Sequence, residues 1–554
     1  MKKTKKIIIA ISISISAFLS YGFADNYFEL SKNLDIFSTL LKELNTYYVD
    51  DTKPGELMKT GIDAMLQSLD PYTNYIPESA IEDYRFMTTG QYGGIGALIH
   101  KDSNEIIVSE PYEGFPAFKA GLKAGDVILK VDENEVEGKN SGDISKLLRG
   151  QSGSSLNVTI KRPNVAEPMV KEIVRETIKI NDVPYFKMLD EEVGYIKLSS
   201  FTQTASKEFI AAFDELKEKG MKELVFDLRG NGGGLLIEAV DIVNIFIPKG
   251  QKVVETRGKL KKWDATYLTR KEPLDIKIPI AILVDAGSAS ASEIVSGTLQ
   301  DYDRAVIIGR QTFGKGLVQQ TRPLSYNAQL KVTVAKYYIP SGRCIQRIDY
   351  STKDELGKAQ TVPDSLINSF KTVLNKRPVK DGKGIKPDIF TEEESMSIIT
   401  ATLMRSYNIF NYATQYYLNH PKIAPAKDFQ LSDKEYDEFI AYLSDKQYNY
   451  STQSEEVLKK LKEVAQNEKY FESAEGEYEA LLEKLTPKKE NDLIKFKSEI
   501  KMILENEIIS RYYFQDGRIE QSLNSDPDVR EALQLLKNKK QYNEILAGTF
   551  VPNK

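Results

Sequence analysis

At 554 residues the chain has room for three or four domains. With 41% hydrophobic and 28% charged residues it can build packed cores, which excludes a mainly disordered protein. Its 75 basic and 80 acidic side chains, net charge −5, do not suggest a nucleic-acid binder, and a single cysteine excludes both an internal disulfide framework and a Cys-rich zinc site. Two histidines, His100 and His420, leave any hydrolase little imidazole to draw on.

Met1–Lys6 carries four lysines, Ile7–Leu19 is an apolar run diluted by Ser12, Ser14 and Ser16, and Gly22-Phe23-Ala24 offers small residues to an export peptidase. Residues 1–24 therefore read as a signal peptide, and the mature chain as periplasmic or extracytoplasmic. The apolar run is short for a membrane span. An uncleaved leader, the other reading, would bring membrane association. Residues 25–86 read as an N-terminal helical module: apolar residues recur at helical spacing over Tyr27–Asp50 (Leu34, Phe37, Leu41, Leu44, Tyr48), and Pro54–Leu69 continues to Asp70-Pro71. From Gly90 to Arg162 short β-like runs (Ile95–Ile99, Ile106–Ser109, Val127–Val131, Leu156–Ile160) alternate with glycine-bearing turns, and a helix is predicted over Ser141–Leu148.

Strands and helices alternate from Ile178 to Asp388. Strands are expected at Val193–Leu198, Leu224–Leu228, Ile280–Val284 and Ala305–Gly309, helices at Thr204–Lys219, Leu235–Phe246 and Ser290–Tyr302, and a late β segment at Gln329–Ile339. This order suggests parallel β-α-β units, whose ligands collect where strands hand over to helices. Residues 391–554 are highly charged and tyrosine-rich, with helical periodicity at Val457–Val464, Leu493–Ile509 and Val529–Leu536, the last opened by Asp526-Pro527-Asp528. They read as a helical domain of unknown role.

Three runs in the α/β part carry chemistry. Asp227-Leu228-Arg229-Gly230-Asn231-Gly232-Gly233-Gly234 follows a buried strand and precedes a helix, so its glycine amides can converge on an anion or a developing oxyanion. Read blandly, it is a tight turn. Gly287-Ser288-Ala289-Ser290-Ala291-Ser292-Glu293 sits at another strand-to-helix junction, where a serine is lifted toward a substrate, although Ser290 and Glu293 also spell a capping box. The residues themselves do not choose among Ser288, Ser290 and Ser292. Gly314-Lys315-Gly316, followed by Gln319, places a lysine between glycines; desolvated, it could take a serine's proton as a neutral amine, and exposed it is only a turn. Gly309–Lys315 also spells G-x-x-x-x-G-K, but Gly316 lacks the hydroxyl a P-loop needs for magnesium, and no nucleotide is expected.

Together the three runs resemble the carboxyl-terminal processing, or tail-specific, proteases, serine peptidases with a Ser-Lys dyad. The family pattern D-x-R-x-N-x-G-G, G-S/T-A-S-A-S-E and T-F-G-K-G-x-V-Q recurs as Asp227–Gly234, Gly287–Glu293 and Thr312–Gln319. The resemblance implies Ser290 as nucleophile, Lys315 as general base twenty-five residues on, and Gln319 as the residue orienting the lysine. It implies an oxyanion hole from the amides of Ala291 and Gly234, with Gly233 the alternative to Gly234. Leu69-Asp70-Pro71-Tyr72-Thr73 looks like the signature ending the family's N-terminal helices, Pro116–Ile128 matches the PDZ pattern P-A-x-x-A-G-L-x-x-G-D-x-I, and Gly384–Asp388 matches G-I-x-P-D. A PDZ domain adds an extended peptide to its sheet edge and holds the terminal carboxylate on loop amides, here in Gly93–Gly96, with Gly94, Ile95 and Gly96 as the candidates.

The fold expected is multidomain α/β: a crotonase-like catalytic core over 175–390, an inserted-type PDZ domain over 87–165, the N-terminal helical module and an all-helical C-terminal domain. The function expected is an exported serine endopeptidase acting on proteins or peptides with exposed C-termini through an acyl-enzyme, without metal or other cofactor and without nucleic acid. A catalytically inactive PDZ scaffold for peptides is the alternative. A homodimer through the N-terminal helices and an adaptor on the charged tail are open partner readings. His100 reads as structural or peptide-touching, and His420 as a solvated helix residue.

Overall fold

The structure, a computed structural model, describes residues 27–355, 357–392 and 395–550. The signal peptide expected at 1–24 lies outside the described residues. No described helix is long and apolar enough to cross a membrane.

The chain divides into two compact units. One comprises the described residues up to Ile81 together with Gln319–Val334 and Tyr350–Lys353. A helix over residues 27–47 leaves Leu34, Phe37 and Leu44 exposed. A second helix, Pro54–Gln67, opens with proline at its first turn, where a missing N–H costs nothing. Asp70 then closes the turn, accepting from the amides of Tyr72 and Thr73 (both 2.8 Å) and from Thr73 Oγ1 (3.0 Å). The strand Asn74–Ile76 leaves this turn and pairs antiparallel with Gln329–Lys331.

The other unit holds everything else. Its first layer is a sheet in the order 97–102, 105–111, 127–131, 155–161, 169–174. Ile106, Val108, Ile128, Leu156 and Val158 fill its core against the helix Ser141–Leu148. The strand Met169–Val174 lies beyond the expected limit at 165; it is an edge strand whose solvated face carries Val170, Glu172 and Val174 and whose other face buries only Ile173, so it lacks the apolar run that marks a core strand.

The α/β part is a six-stranded sheet in the order 185–188, 193–197, 223–227, 280–284, 306–309, 389–390, parallel from the second strand onward. The central strands are buried at every residue, because both faces are covered. Helices Ala205–Glu218, Leu236–Val243 and Ala291–Asp301 contribute to the core cluster on one side. Helices Pro527–Lys537 and Lys539–Ala547 cover the other, placing Val529, Ala532 and Leu536 among Tyr195, Val225 and Leu283. The residues read as one tail at 391–554 thus take two places. Helices between Ile398 and Ser525 enclose a core of their own around Leu403, Ile409, Phe439 and Leu504, while the last two helices complete the second layer of the α/β part.

Candidate active site

Three strand ends build the site. Glu223–Asp227 runs into the glycine loop, Ile280–Val284 into the serine run, and Val306–Gly309 into the lysine loop. All three strands are parallel, so their C-terminal ends open at the same edge of the sheet.

Ser290 caps the helix Ala291–Asp301 with φ 57° and ψ −111°, a backbone region that a residue with a Cβ seldom occupies. The helix behind it is buried along its whole length. Its small residues make that burial feasible: a Cβ on Gly297 would come within 2.7 Å of Ile385. Gly233 lies against the serine corner, where an added Cβ would come within 2.8 Å of Ser290 Cβ and 2.9 Å of the Ala291 amide.

The two neighbouring serines are tied down. Ser288 Oγ donates to the Leu228 carbonyl (2.8 Å) and accepts from the Asp285 amide (3.0 Å). Ser292 Oγ donates to the Asn231 carbonyl (2.8 Å). Both are fully buried, whereas Ser290 is half-buried. The outer two hydroxyls therefore stitch the serine run to the glycine loop, a distinction the sequence does not contain.

Glu293 does more than cap the helix. Its Oε2 accepts from the amides of Ser290 and Lys315 (both 2.9 Å), and its Oε1 from the Gly314 amide (2.7 Å) and Thr312 Oγ1 (2.6 Å). Burial pushes this carboxyl's pKa up, and the four donors oppose that rise. Tyr337, 1% exposed, adds a second link by donating to the carbonyls of Ser290 (3.1 Å) and Lys315. Sequence reasoning read Glu293 only as a cap and missed Tyr337. An acid inside a run of small residues on an apolar helix is the signal that marks Glu293; no local signal marks Tyr337.

Asn231 shapes the glycine loop. Its Oδ1 accepts from the Gly233 amide (2.8 Å) and its Nδ2 donates to the Leu198 carbonyl (2.8 Å). The Leu235 amide donates to the Phe201 carbonyl (2.8 Å). Between them, the Gly234 amide has no acceptor among the described residues. Arg229, just upstream, forks onto Asp227 (Nε to Oδ1 3.0 Å, Nη2 to Oδ2 2.7 Å). Burial by itself would raise the Asp227 pKa, but Arg229 and Lys197 hold the carboxyl well below the ordinary carboxylate range.

Gln319 belongs to the other unit, where its Nε2 donates to Thr333 Oγ1 (3.4 Å) and Thr333 is joined in turn to Thr73. In the small β domain, Gly94 ends a strand paired with Glu176–Lys179, and Ile95 and Gly96 follow, their carbonyls accepting from Ala117 (2.7 Å) and Tyr112 (2.9 Å). Gly96 sits at φ 71° with Phe115 so close that an added Cβ would lie 2.6 Å from it. The next strand, Ala97–Asp102, is the sheet edge and leaves Leu98 exposed.

Both histidines are packing residues. His100 Nδ1 pairs with Ser109 Oγ (2.6 Å), and its ring stacks on Tyr407 at 4.1 Å and meets Phe410 edge-on. His420 stacks on Tyr416 at 3.9 Å with Nδ1 bonded to that residue's carbonyl (2.9 Å), so it is a half-buried helix end rather than a solvated side chain.

The model of peptidase family S41 matches residues 192–353, that of a PDZ domain residues 93–170, and that of a probable PDZ-protease C-terminal helical domain residues 399–536. A carboxy-terminal-processing protease of Bartonella bacilliformis is 38% identical over 321 residues, 57% of this chain and 73% of that protein. A probable CtpA-like serine protease of Staphylococcus aureus is 36% identical over 315 residues, 56% of this chain and 62% of that protein. The solved photosystem II D1 C-terminal processing protease is 27% identical and covers 65% of this chain and 93% of its own, with a TM-score of 0.35. The peptidase match spans all three motif-bearing strand ends, and the Bartonella relative is matched across nearly three quarters of its length; the chain belongs to the carboxy-terminal-processing proteases, serine peptidases that carry a PDZ domain.

Proposed function

We propose that the chain is an exported endopeptidase that captures substrates by their C-terminal ends and cleaves them with a Ser290–Lys315 dyad. Lys315, as a neutral amine, takes the Ser290 hydroxyl proton as Oγ attacks the scissile carbonyl. The Ala291 amide, at a helix position that has no intrahelical acceptor, and the Gly234 amide receive the oxyanion. Collapse of the tetrahedral adduct expels the amine with the proton from Lys315. Water, activated by the same amine, then releases the acyl group. Gln319 orients the lysine by resemblance to the family.

The observation that carries this reading is the Glu293 carboxylate, which holds the backbone amides of Ser290 and Lys315 at 2.9 Å each and so fixes two loops from separate strands as one unit. Its neighbour hydroxyls being spent on backbone carbonyls supports Ser290 over Ser288 and Ser292. The Asn231 bond to Gly233 supports Gly234 as the second oxyanion donor. For capture, the Gly94–Gly96 turn beside the edge strand Ala97–Asp102 offers amides for a carboxylate and an unpaired edge for strand addition. The lysine-rich, apolar leader supports export.

Ser290→Ala and Lys315→Ala are each expected to lower cleavage of a tail-bearing peptide by at least about a thousandfold while retaining the parental circular dichroism and melting profile. Full cleavage by either folded variant overturns the dyad.

A further inference from the structure

The C-terminal helix Pro527–Lys537 begins with two carboxylates that do more than cap it. Asp526 is the cap, accepting from the amides of Asp528 (2.9 Å) and Val529 (3.2 Å). Its two oxygens also face Arg229, at 2.9 Å from Nη1 and 2.7 Å from Nη2. Asp528, 1% exposed, accepts from Arg229 Nη1 at 2.8 Å and from Arg310 Nη1 at 3.0 Å. Arg229 immediately precedes the glycine loop that ends at Gly234. Arg310 immediately follows the strand Val306–Gly309 and opens the loop that carries Lys315.

One buried carboxylate from the far end of the chain thus grips the roots of two catalytic loops. Charge balances within the cluster: Lys197, Arg229 and Arg310 face Asp227, Asp526 and Asp528. Each arginine is therefore held by fixed, desolvated acceptors. Without Asp528, Arg310 loses its carboxylate partner among the described residues and keeps only Thr391 Oγ1 (3.2 Å) as a side-chain partner, while Arg229 stays on Asp227 and Asp526, so the two loop roots are no longer joined through a shared carboxylate.

We propose that Asp528, assisted by Asp526, is a positioning residue of the peptidase: it latches the glycine loop and the lysine loop to each other and so sets the Gly234 amide and Lys315 for the transition state. This rests on the roles given to Gly234 and Lys315 above. Truncation or displacement of the last two helices would accordingly silence the enzyme without touching any residue that meets substrate.

The test uses the full chain, with four variants measured well below their melting temperatures. For Asp528→Asn, kcat is expected to fall about ten- to a hundredfold with KM within about twofold. The affinity of a peptide boronic acid, which forms a tetrahedral adduct on Ser290, should fall by the same factor, and that of the cleaved product peptide should not change. Arg310→Lys, which keeps the charge but replaces the planar guanidinium whose Nη1 reaches both Asp528 oxygens, should lose about three- to tenfold in kcat and decides the matter if Asp528→Asn does not fold. Leu535→Ala, in the same helix and packed on the sheet, should lower the melting temperature while kcat stays within about twofold. Unchanged kcat and boronate affinity in Asp528→Asn, or an equal kcat loss in Leu535→Ala, overturns the latch. Ser290→Ala separates the two levels. Full activity there overturns the dyad itself, whereas an inactive Ser290→Ala beside an unaffected Asp528→Asn overturns only the latch.

Discussion

Ser290 is held where a side chain is unwelcome. Its φ of 57° is a conformation that glycine adopts freely and that costs other residues on the order of 1–3 kcal/mol. The Glu293 bond to the Ser290 amide and the Gly233 contact leave that corner nowhere else to go. A direct consequence separates strain from chemistry. Ser290→Gly should be as inactive as Ser290→Ala yet more stable than it by about 1 kcal/mol, read from chemical denaturation. Equal stability, or a more stable alanine variant, would mean the corner is not strained. The choice of Ser290 was not legible from local sequence, because Ser288 and Ser292 sit in the same run of small residues. What sets them apart is tertiary: their acceptors, Leu228 and Asn231, lie on a loop some sixty positions away.

Elements whose own composition decides their fate were legible. The strand Val127–Val131 and the helix Ser141–Leu148 form over the predicted residues, and the peptidase strands fall within a residue or so of their apolar runs, because charged residues, glycine or proline interrupt the chain beside them. Elements decided by their surroundings were not. The strand Met169–Val174 leaves two valines and a glutamate exposed on its solvated side, and the helix Lys497–Ser525 breaks its geometry at Phe514, whose ring meets Phe118 at 5.6 Å. His100 shows how such packing acquires a pH dependence. Burial lowers its pKa, with Asp102 and Glu507 opposing and Arg511 assisting, and its buried Nε2 has no hydrogen-bond partner among the described residues. The unfolded chain takes up this proton near pH 6.5, the folded chain only at lower pH. This contribution to stability is therefore complete above about pH 6.5 and is lost as the pH falls below it. Melting curves from pH 7.5 to 5 should show a smaller acid loss in His100→Phe than in the parent; an unchanged slope would assign the effect elsewhere.

At the scale of the chain, the charge-rich tail concealed a division of labour. An amphipathic stripe such as Val529, Ala532 and Leu536 announces that a helix has a partner without naming it. The complementary hint lay in the central strands, whose apolar runs Leu224–Phe226 and Ile280–Val284 show no polar alternation and therefore require cover on both faces, of which the predicted β-α-β helices supply one. The last two helices supply the other and bring Asp526 and Asp528 to the strand ends where the motifs lie. The motifs themselves were readable because each binds chemistry to a few consecutive residues. Asp526 and Asp528, which grip the roots of two of them, come from more than 200 positions away, and their own sequence announces only a helix start.

The central claim is that Lys315 activates Ser290 for nucleophilic attack, and covalent labelling reads it directly. A fluorophosphonate, with the modified residue mapped by peptide mass spectrometry, should label the parent at Ser290, and the labelling rate should collapse in folded Lys315→Ala. Label on another residue, or undiminished labelling of Ser290 in Lys315→Ala, would contradict the account.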